Sequence, residues 1–407
     1  MKKVLFGTTA LVAVGLCAPI ANAAEPIKLT VGGMMNQFFG IAFAESDDFK
    51  SDAGNSQVGI VASPALHSHG NFGVLSDTEI HFKGSTVLDN GLKVAVVVEA
   101  EAERTQATAN ARNTDQQYVE ISGGWGALRV GETFNVAHRI HQSAPGAGMA
   151  FADLGAFIFA VGGNSSGGTG NITTTANFFT SADGIGNAGR NSNQIDYVTP
   201  AFATPVGTFT AGVSLAPSVS SRGVPVDGTN SKDLMVGGLA YSNTIFGVAI
   251  AADAGYGRYE LPATSSATQL SGMAQIQQYG LNLGYAGFKV GGSYMRIMDS
   301  NSVKGATVGA HAITAASMDG SAWDAGINYT TGPYTVGYQY FASSFEGIIG
   351  IKGKDKTSLH LAGAQYTMGP GVVLTGNFGH ARYKDEVNID STNTSGWVVA
   401  TGVKLTF

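Results

Sequence analysis

From Lys28 onward the chain alternates, with Leu29, Val31, Met35, Phe39, Ile41 and Phe43 on one parity and Lys28, Thr30, Gly32, Asn36 and Gly40 on the other. Successive side chains of a strand point to opposite faces, so this pattern predicts a strand with one apolar face and one small or polar face. The same reading holds for Leu92, Val94, Val96 and Val98 against Lys93, Ala95, Val97 and Glu99, and for Trp323, Ala325, Ile327 and Tyr329 against Asp324, Gly326 and Asn328. The chain ends in such a segment: Trp397, Val399, Thr401, Val403, Leu405 and Phe407 share a face. A soluble β-sandwich would show the same local alternation.

The connections separate the two alternatives. Short turns are predicted at Asp89-Asn90-Gly91, Gly124-Trp125-Gly126, Thr204-Pro205, Ser242-Asn243-Thr244, Ala286-Gly287, Thr331-Gly332-Pro333 and Gly369-Pro370-Gly371. Long polar segments fall between them, near 45–75, 105–113, 135–190, 218–231, 257–273, 299–318, 345–356 and 384–393. Seven turns and eight loops join sixteen strands. An even count with both termini on the short-turn side predicts an all-β fold, a transmembrane antiparallel β-barrel. No apolar run after the first residues approaches the roughly 20 needed for a membrane helix.

The N-terminus adds the compartment. Lys2 and Lys3 precede an apolar run from Val4 to Leu16, and Ala21-Asn22-Ala23 offers a small-residue cleavage site. These are the parts of a secretory signal peptide, expected to span 1–23 and leave one barrel domain over 24–407. Losing Lys2 and Lys3 takes the net charge from −6 to −8, and losing Cys17 leaves no thiol for a disulfide or thiolate metal site. Net acidity without a basic run argues against a nucleic-acid partner. The 57 glycines are about twice the number expected at the usual share of roughly 7%. The mean hydropathy of +0.09 suits strands that are apolar on one face only.

Four segments resemble the general porins of proteobacteria, a sixteen-stranded trimeric family with a constriction loop folded into each pore. They are Ile80-His81-Phe82-Lys83-Gly84 through Asn90-Gly91-Leu92-Lys93; Tyr118-Val119-Glu120-Ile121-Ser122-Gly123 through Gly126-Ala127-Leu128-Arg129-Val130-Gly131; Gly189-Arg190-Asn191-Ser192-Asn193-Gln194-Ile195-Asp196-Tyr197 with Pro200; and the aromatic C-terminus. The resemblance implies that the long insert at about 135–190 is the constriction loop, the third loop, folded into the pore. It implies acidic residues on that loop facing basic residues on the wall, which makes Asp153 the candidate on the acidic side.

Taking the apolar face as outward puts Glu79, His81, Lys83, Lys93, Glu99, Glu101, Glu120, Arg129, Asp196 and Lys404 on the lumen side. Asp153, Lys83, Arg129, Glu99, Glu101 and Glu120 are the expected constriction residues, with Lys83 and Arg129 as its basic side. The family often has arginines where Glu132 and Asp196 stand here. The acid-leaning wall therefore predicts a weak cation preference.

Other signals carry less. Gly184–Gly189 fits G-x-G-x-x-G without the flanking strand and helix of a dinucleotide fold. Gly163–Gly167 fits G-x-S-x-G without the strand-to-helix turn of a nucleophile elbow. His67 and His69 near Glu45, Asp47, Asp48 and Asp52 read as solvated loop residues, and His138 and His141 could face the pore. The expectation is an outer-membrane porin for passive diffusion of small hydrophilic solutes and ions. It would have no enzymatic activity and no cofactor or metal, and its partners would be outer-membrane lipid, lipopolysaccharide and two further copies. A substrate-selective porin for sugars or phosphate, with Tyr334, Tyr338 and Tyr340 as a track, and a surface anchor or adhesin are the alternatives. The tyrosines share their face with Val336 and read better as lipid-facing or subunit-facing.

Overall fold

Parity in the sequence becomes sidedness in the structure, a computed structural model that describes residues 26–44, 72–102, 114–161, 192–219, 231–261, 272–298, 319–345, 353–384 and 394–407. The chain forms β1 (Lys28–Ala44), β2 (Phe72–Val87), β3 (Lys93–Glu101), β4 (Thr114–Gly123), β5 (Gly126–Thr133), β6 (Ser192–Val198), β7 (Phe202–Thr204), β8 (Gly207–Ser218) and β9 (Lys232–Ile245). It continues with β10 (Val248–Glu260), β11 (Met273–Tyr285), β12 (Phe288–Met298), β13 (Gly320–Thr331), β14 (Tyr334–Phe345), β15 (Asp355–Gly369), β16 (Val372–Lys384) and β17 (Thr394–Thr406). Both β6 and β7 pair with successive parts of β8, so they are one strand interrupted at Thr199-Pro200-Ala201. Proline has no N–H to give a ladder, which accounts for the break. Sixteen antiparallel strands result, as the turn count predicts.

The sheet closes on itself. β1 pairs with β2 on one side and with β17 on the other, in the register Met34 to Thr406 through Ala44 to Gly396. Gly33 N–H donates to Phe407 O at 2.8 Å and Phe407 N–H returns to Gly33 O at 3.1 Å. Closure satisfies the backbone groups that an open edge would leave bare in hydrocarbon. A spanning strand needs about 9–11 residues, and every strand from β8 to β17 has at least 11.

The apolar parity does face outward. Val31, Phe39, Ile41, Phe43, Trp323, Ile327, Val399 and Phe407 are all exposed, and so are Tyr334, Val336 and Tyr338. Near the short turns the outer face carries Trp125 stacked on Tyr197, Tyr334 stacked on Tyr366, and Phe288 tilted against Tyr329. Near the long loops it carries Trp323 with Tyr340 and Phe378 with Trp397. Two aromatic belts around an apolar band are what a barrel wall presents to a bilayer.

Two expectations need correction. The turn predicted at Ser242-Asn243-Thr244 lies at Phe246-Gly247, because β9 runs on to Ile245. Asn243 instead reaches sideways, its amide donating to Val206 O at 2.9 Å. Phe246 and Gly247 have φ of 50° and 81°, as do Ala286 and Gly287 at 50° and 87°, the positive pair of a tight hairpin. The inner face is also not uniformly polar. Leu234, Ile276, Met295, Phe341, Leu359, Leu361 and Tyr383 point inward and are nearly or fully buried, so the wall toward the long loops has apolar side chains on both faces. The signal peptide and its cleavage site lie outside the described residues.

Candidate functional site on the inner face of the barrel

After β5 the backbone does not return directly to β6. Asn135 caps α1 (Val136–Ile140), its side-chain oxygen accepting from His138 N–H at 3.0 Å. An extended stretch and α2 (Phe151–Val161) follow. An irregular segment shielded from water must satisfy its backbone polar groups elsewhere, and here inward side chains of the wall do so one after another. Ser214 Oγ on β8 accepts from Val136 N–H at 2.8 Å, and Gln278 on β11 donates to Ala137 O at 2.8 Å. Asp253 on β10 accepts from Gln142 N–H at 2.6 Å. Asp324 on β13 accepts from Ala144 N–H at 3.1 Å and from Ser293 N–H at 2.6 Å. Asn328 donates to Gly146 O at 2.9 Å, Gln339 to Ala144 O at 2.8 Å, and Asn377 on β16 accepts from Met149 N–H at 2.9 Å. The segment thus follows the inner wall from β8 round to β16. There α2 sets Leu154 and Phe157 into the apolar patch and Phe151 against Phe341, ring centroids 5.7 Å apart.

The wall makes room by omitting side chains. A Cβ on Gly363 would overlap the Ala147 carbonyl, and one on Gly337 would come within 3.0 Å of the Gly146–Ala147 peptide. Neither contact involves the movable end of a side chain. Part of the glycine excess is thus clearance for a second layer.

The opposite arc, β2 to β6, carries the charged groups. On β2 and β3, Lys83 Nζ lies 3.5 Å from Glu99 and 3.2 Å from His81 Nδ1, and His81 Nε2 lies 2.7 Å from Glu79. Gln116 donates to Glu99 at 2.6 Å. On β4 and β5, Arg129 Nε donates to Glu120 at 2.7 Å and its guanidinium sits 4.5 Å above the Tyr118 ring. Lys83, Arg129, Glu99, Glu101 and Glu120 therefore share one arc of wall, in paired positions rather than as separate acidic and basic sides.

Asp153 is placed elsewhere. It sits in the first turn of α2, accepts from Ala150 N–H at 2.8 Å, and has Lys404 and Asp77 as its charged neighbours. Burial raises its carboxyl above the ordinary range, against the smaller lowering effects of the Ala150 bond and Lys404. The folded state therefore disfavours the ionised form, a penalty present at neutral pH and absent once the pH falls below the unfolded value. Asp153→Asn keeps an acceptor for Ala150 and is expected to unfold at an equal or higher urea concentration at pH 7. A lower midpoint would contradict this.

Arg139 on α1 was not flagged by its residue pattern. It is mostly buried and its electrostatic neighbours are Arg129, Asp196, Tyr118 and Glu120; burial, then Arg129, pulls its pKa down to about 10. It remains charged near neutral pH and brings a second guanidinium to the arc from the inserted segment. A lone arginine beside the histidines of a loop is the signal that could have found it. His141 does not face the pore: it is buried, 3.0 Å from Asp253, and fixes the end of α1 to the wall. The His138 ring lies tilted against Phe134, centroids 4.5 Å apart. The glycine and serine motifs at 163–167 and 184–189, and His67 and His69, lie outside the described residues.

The inner face thus carries charged side chains on one arc and, on the other, a backbone layer held by wall side chains. The sequence profile of the Gram-negative porin family matches residues 7–386. The chain belongs to the Gram-negative porin family. This porin has no match among curated protein sequences, but its fold is shared by solved structures. The anion-selective porin from Comamonas acidovorans is 16% identical, with a TM-score of 0.58 over 94% of this chain and 100% of that one. OmpF of Salmonella typhi, in complex with daunomycin, is 11% identical, with a TM-score of 0.55 over 94% and 98%. OmpT of Vibrio cholerae, in trimer form, is 12% identical, with a TM-score of 0.52 over 95% and 100%. The porin is accordingly an outer-membrane channel for small solutes, and its family and fold point to a channel rather than an enzyme.

Proposed function

We propose that this porin is a general diffusion channel constricted between the segment 134–161 and the charged arc of β2 to β6, with a weak preference for cations. The observation that carries the reading is the chain of hydrogen bonds from wall side chains to the backbone of that segment, which holds it as a second layer inside the barrel. A fixed layer narrows an aqueous path without needing to move. The sign of the preference follows from Asp77, Glu79, Glu99, Glu101 and Glu120 facing the lumen, against Lys83, Arg129 and Arg139. Rings of one charge bias which ion enters a narrow pore. The Comamonas porin is anion-selective by description, so fold alone does not set the sign.

The aromatic belts support contact with outer-membrane lipid and lipopolysaccharide. The likeness to OmpT in trimer form supports a homotrimer. The test is planar-bilayer recording of the purified mature protein in a salt gradient. Discrete ohmic steps and a cation-side reversal potential are expected, with Arg129→Ala moving the potential further toward cations. An anion-side potential, or one that Arg129→Ala leaves unmoved, would refute the selectivity; absence of conductance at any salt would refute the channel.

A further inference from the structure

On the inner face of β2 and β3, Glu79 stands directly opposite Glu101 and His81 directly opposite Glu99. Glu79 and His81 are two residues apart on one strand and so share a face. Four ligand-bearing side chains therefore occupy the corners of a small square. Like charges directly opposite on an antiparallel pair are destabilising, and the Glu79–Glu101 pairing concentrates negative charge on this stretch of wall. The ligand atoms of Glu79, His81 and Glu99 all lie within 4.8 Å of one another, and those of Asp77, Glu79 and Glu101 meet the same limit. The first of these triads, which shares Glu79 with the second, includes an imidazole and so differs from a general acidic surface.

We propose that Glu79, His81 and Glu99 form a binding site for a borderline divalent metal ion of the zinc type on the lumen wall. One imidazole and two carboxylates are the nitrogen and oxygen donors such ions take. The side chains are partly exposed, at 13% for Glu79, 19% for His81 and 12% for Glu99, so an ion can reach them from the lumen. The Nε2 position, 2.7 Å from Glu79, is the one a metal would occupy. The imidazole proton would then reside on Nδ1, where Lys83 now approaches to 3.2 Å. Lys83 opposes the metal both as a like charge and through this contact, while its half-exposed side chain is free to swing toward the lumen. Gln116 holds Glu99 at 2.6 Å and orients it as a ligand. Asp77 and Asp115 add negative charge nearby.

The site does not depend on whether the pore conducts. Calorimetric titration of the full-length, detergent-solubilised protein with zinc chloride, and in parallel with magnesium chloride, tests it directly. Zinc is expected to bind once per chain in the micromolar range, and magnesium not measurably at the same concentrations. His81→Asn and Glu99→Gln should each weaken zinc at least about tenfold, a loss of about 1.4 kcal/mol, and Lys83→Met should tighten it. Retained heat-modifiable gel mobility would show that each variant still forms the barrel. Absence of saturable zinc binding, equal binding of magnesium, or unchanged affinity in both His81→Asn and Glu99→Gln would overturn the proposal.

Discussion

Replacing Asp253 and Asp324 together by alanine should release the inserted segment from the wall, raising single-channel conductance and lowering the stability of the barrel. Asp253 receives Gln142 N–H and lies beside His141 and Gln278; Asp324 receives Ala144 N–H, Ser293 N–H and the Ser293 hydroxyl. Alanine leaves those buried donors in place with no acceptor, and each such orphan costs about 1–3 kcal/mol. The two carboxylates stand three strands apart, about 14 Å at the usual spacing, so their effects should add. A combined loss of about 3–6 kcal/mol in urea unfolding is the expected range. Asp324→Asn, which keeps an acceptor oxygen, should lose much less. Wild-type conductance and an unchanged urea midpoint in the double variant would show that the segment is held by something else.

Gly363→Leu should change conductance in the opposite direction. Its Cβ would meet the Ala147 carbonyl while Asp324 and Asn377 still hold the segment on either side, so the backbone must bow into the lumen. Overpacking of this kind costs about 1–3 kcal/mol, and the passage should narrow. Gly376 is the matched control, because its Cβ position meets nothing within 4 Å. Gly376→Leu is expected to conduct as the wild type does. Equal currents from both variants would mean that the glycine at 363 is not clearance for the segment.

These two expectations rest on residues that the sequence read alone did not pick out. Outward residues such as Phe39, Trp323 and Val399 were legible because alternation is local and lipid demands it over many turns of the chain. Strand number was legible for a related reason, since turn chemistry is also local; the misplaced turn at 242–244 shows the limit, where Asn243 served a neighbouring turn instead of its own. The anchors were not legible. Asp253, Asp324 and Asn377 meet partners 111 to 228 positions away, and nothing local distinguishes them from any polar residue on a strand's inner face. Around His360 the alternation marks no single apolar face, because Leu359 and Leu361, which flank it, point inward to a second apolar layer. Periodicity assumes one apolar side, and that segment has two. Parity put Lys83, Arg129, Glu99, Glu101 and Glu120 on the inner face but carries no information on where around the barrel they stand, and Asp153, taken from resemblance, has Lys404 and Asp77 as its charged neighbours.

The bonds between Gly33 and the final residue bear on how the molecule is made. While the β1–β17 seam is open, both strands present bare edges, and bare edges recruit other strands. The last contacts to form join positions at nearly opposite ends of the chain, and such non-local pairings are slow. A sheet lacking either strand of that seam keeps two open edges and is exposed to pairing with other chains.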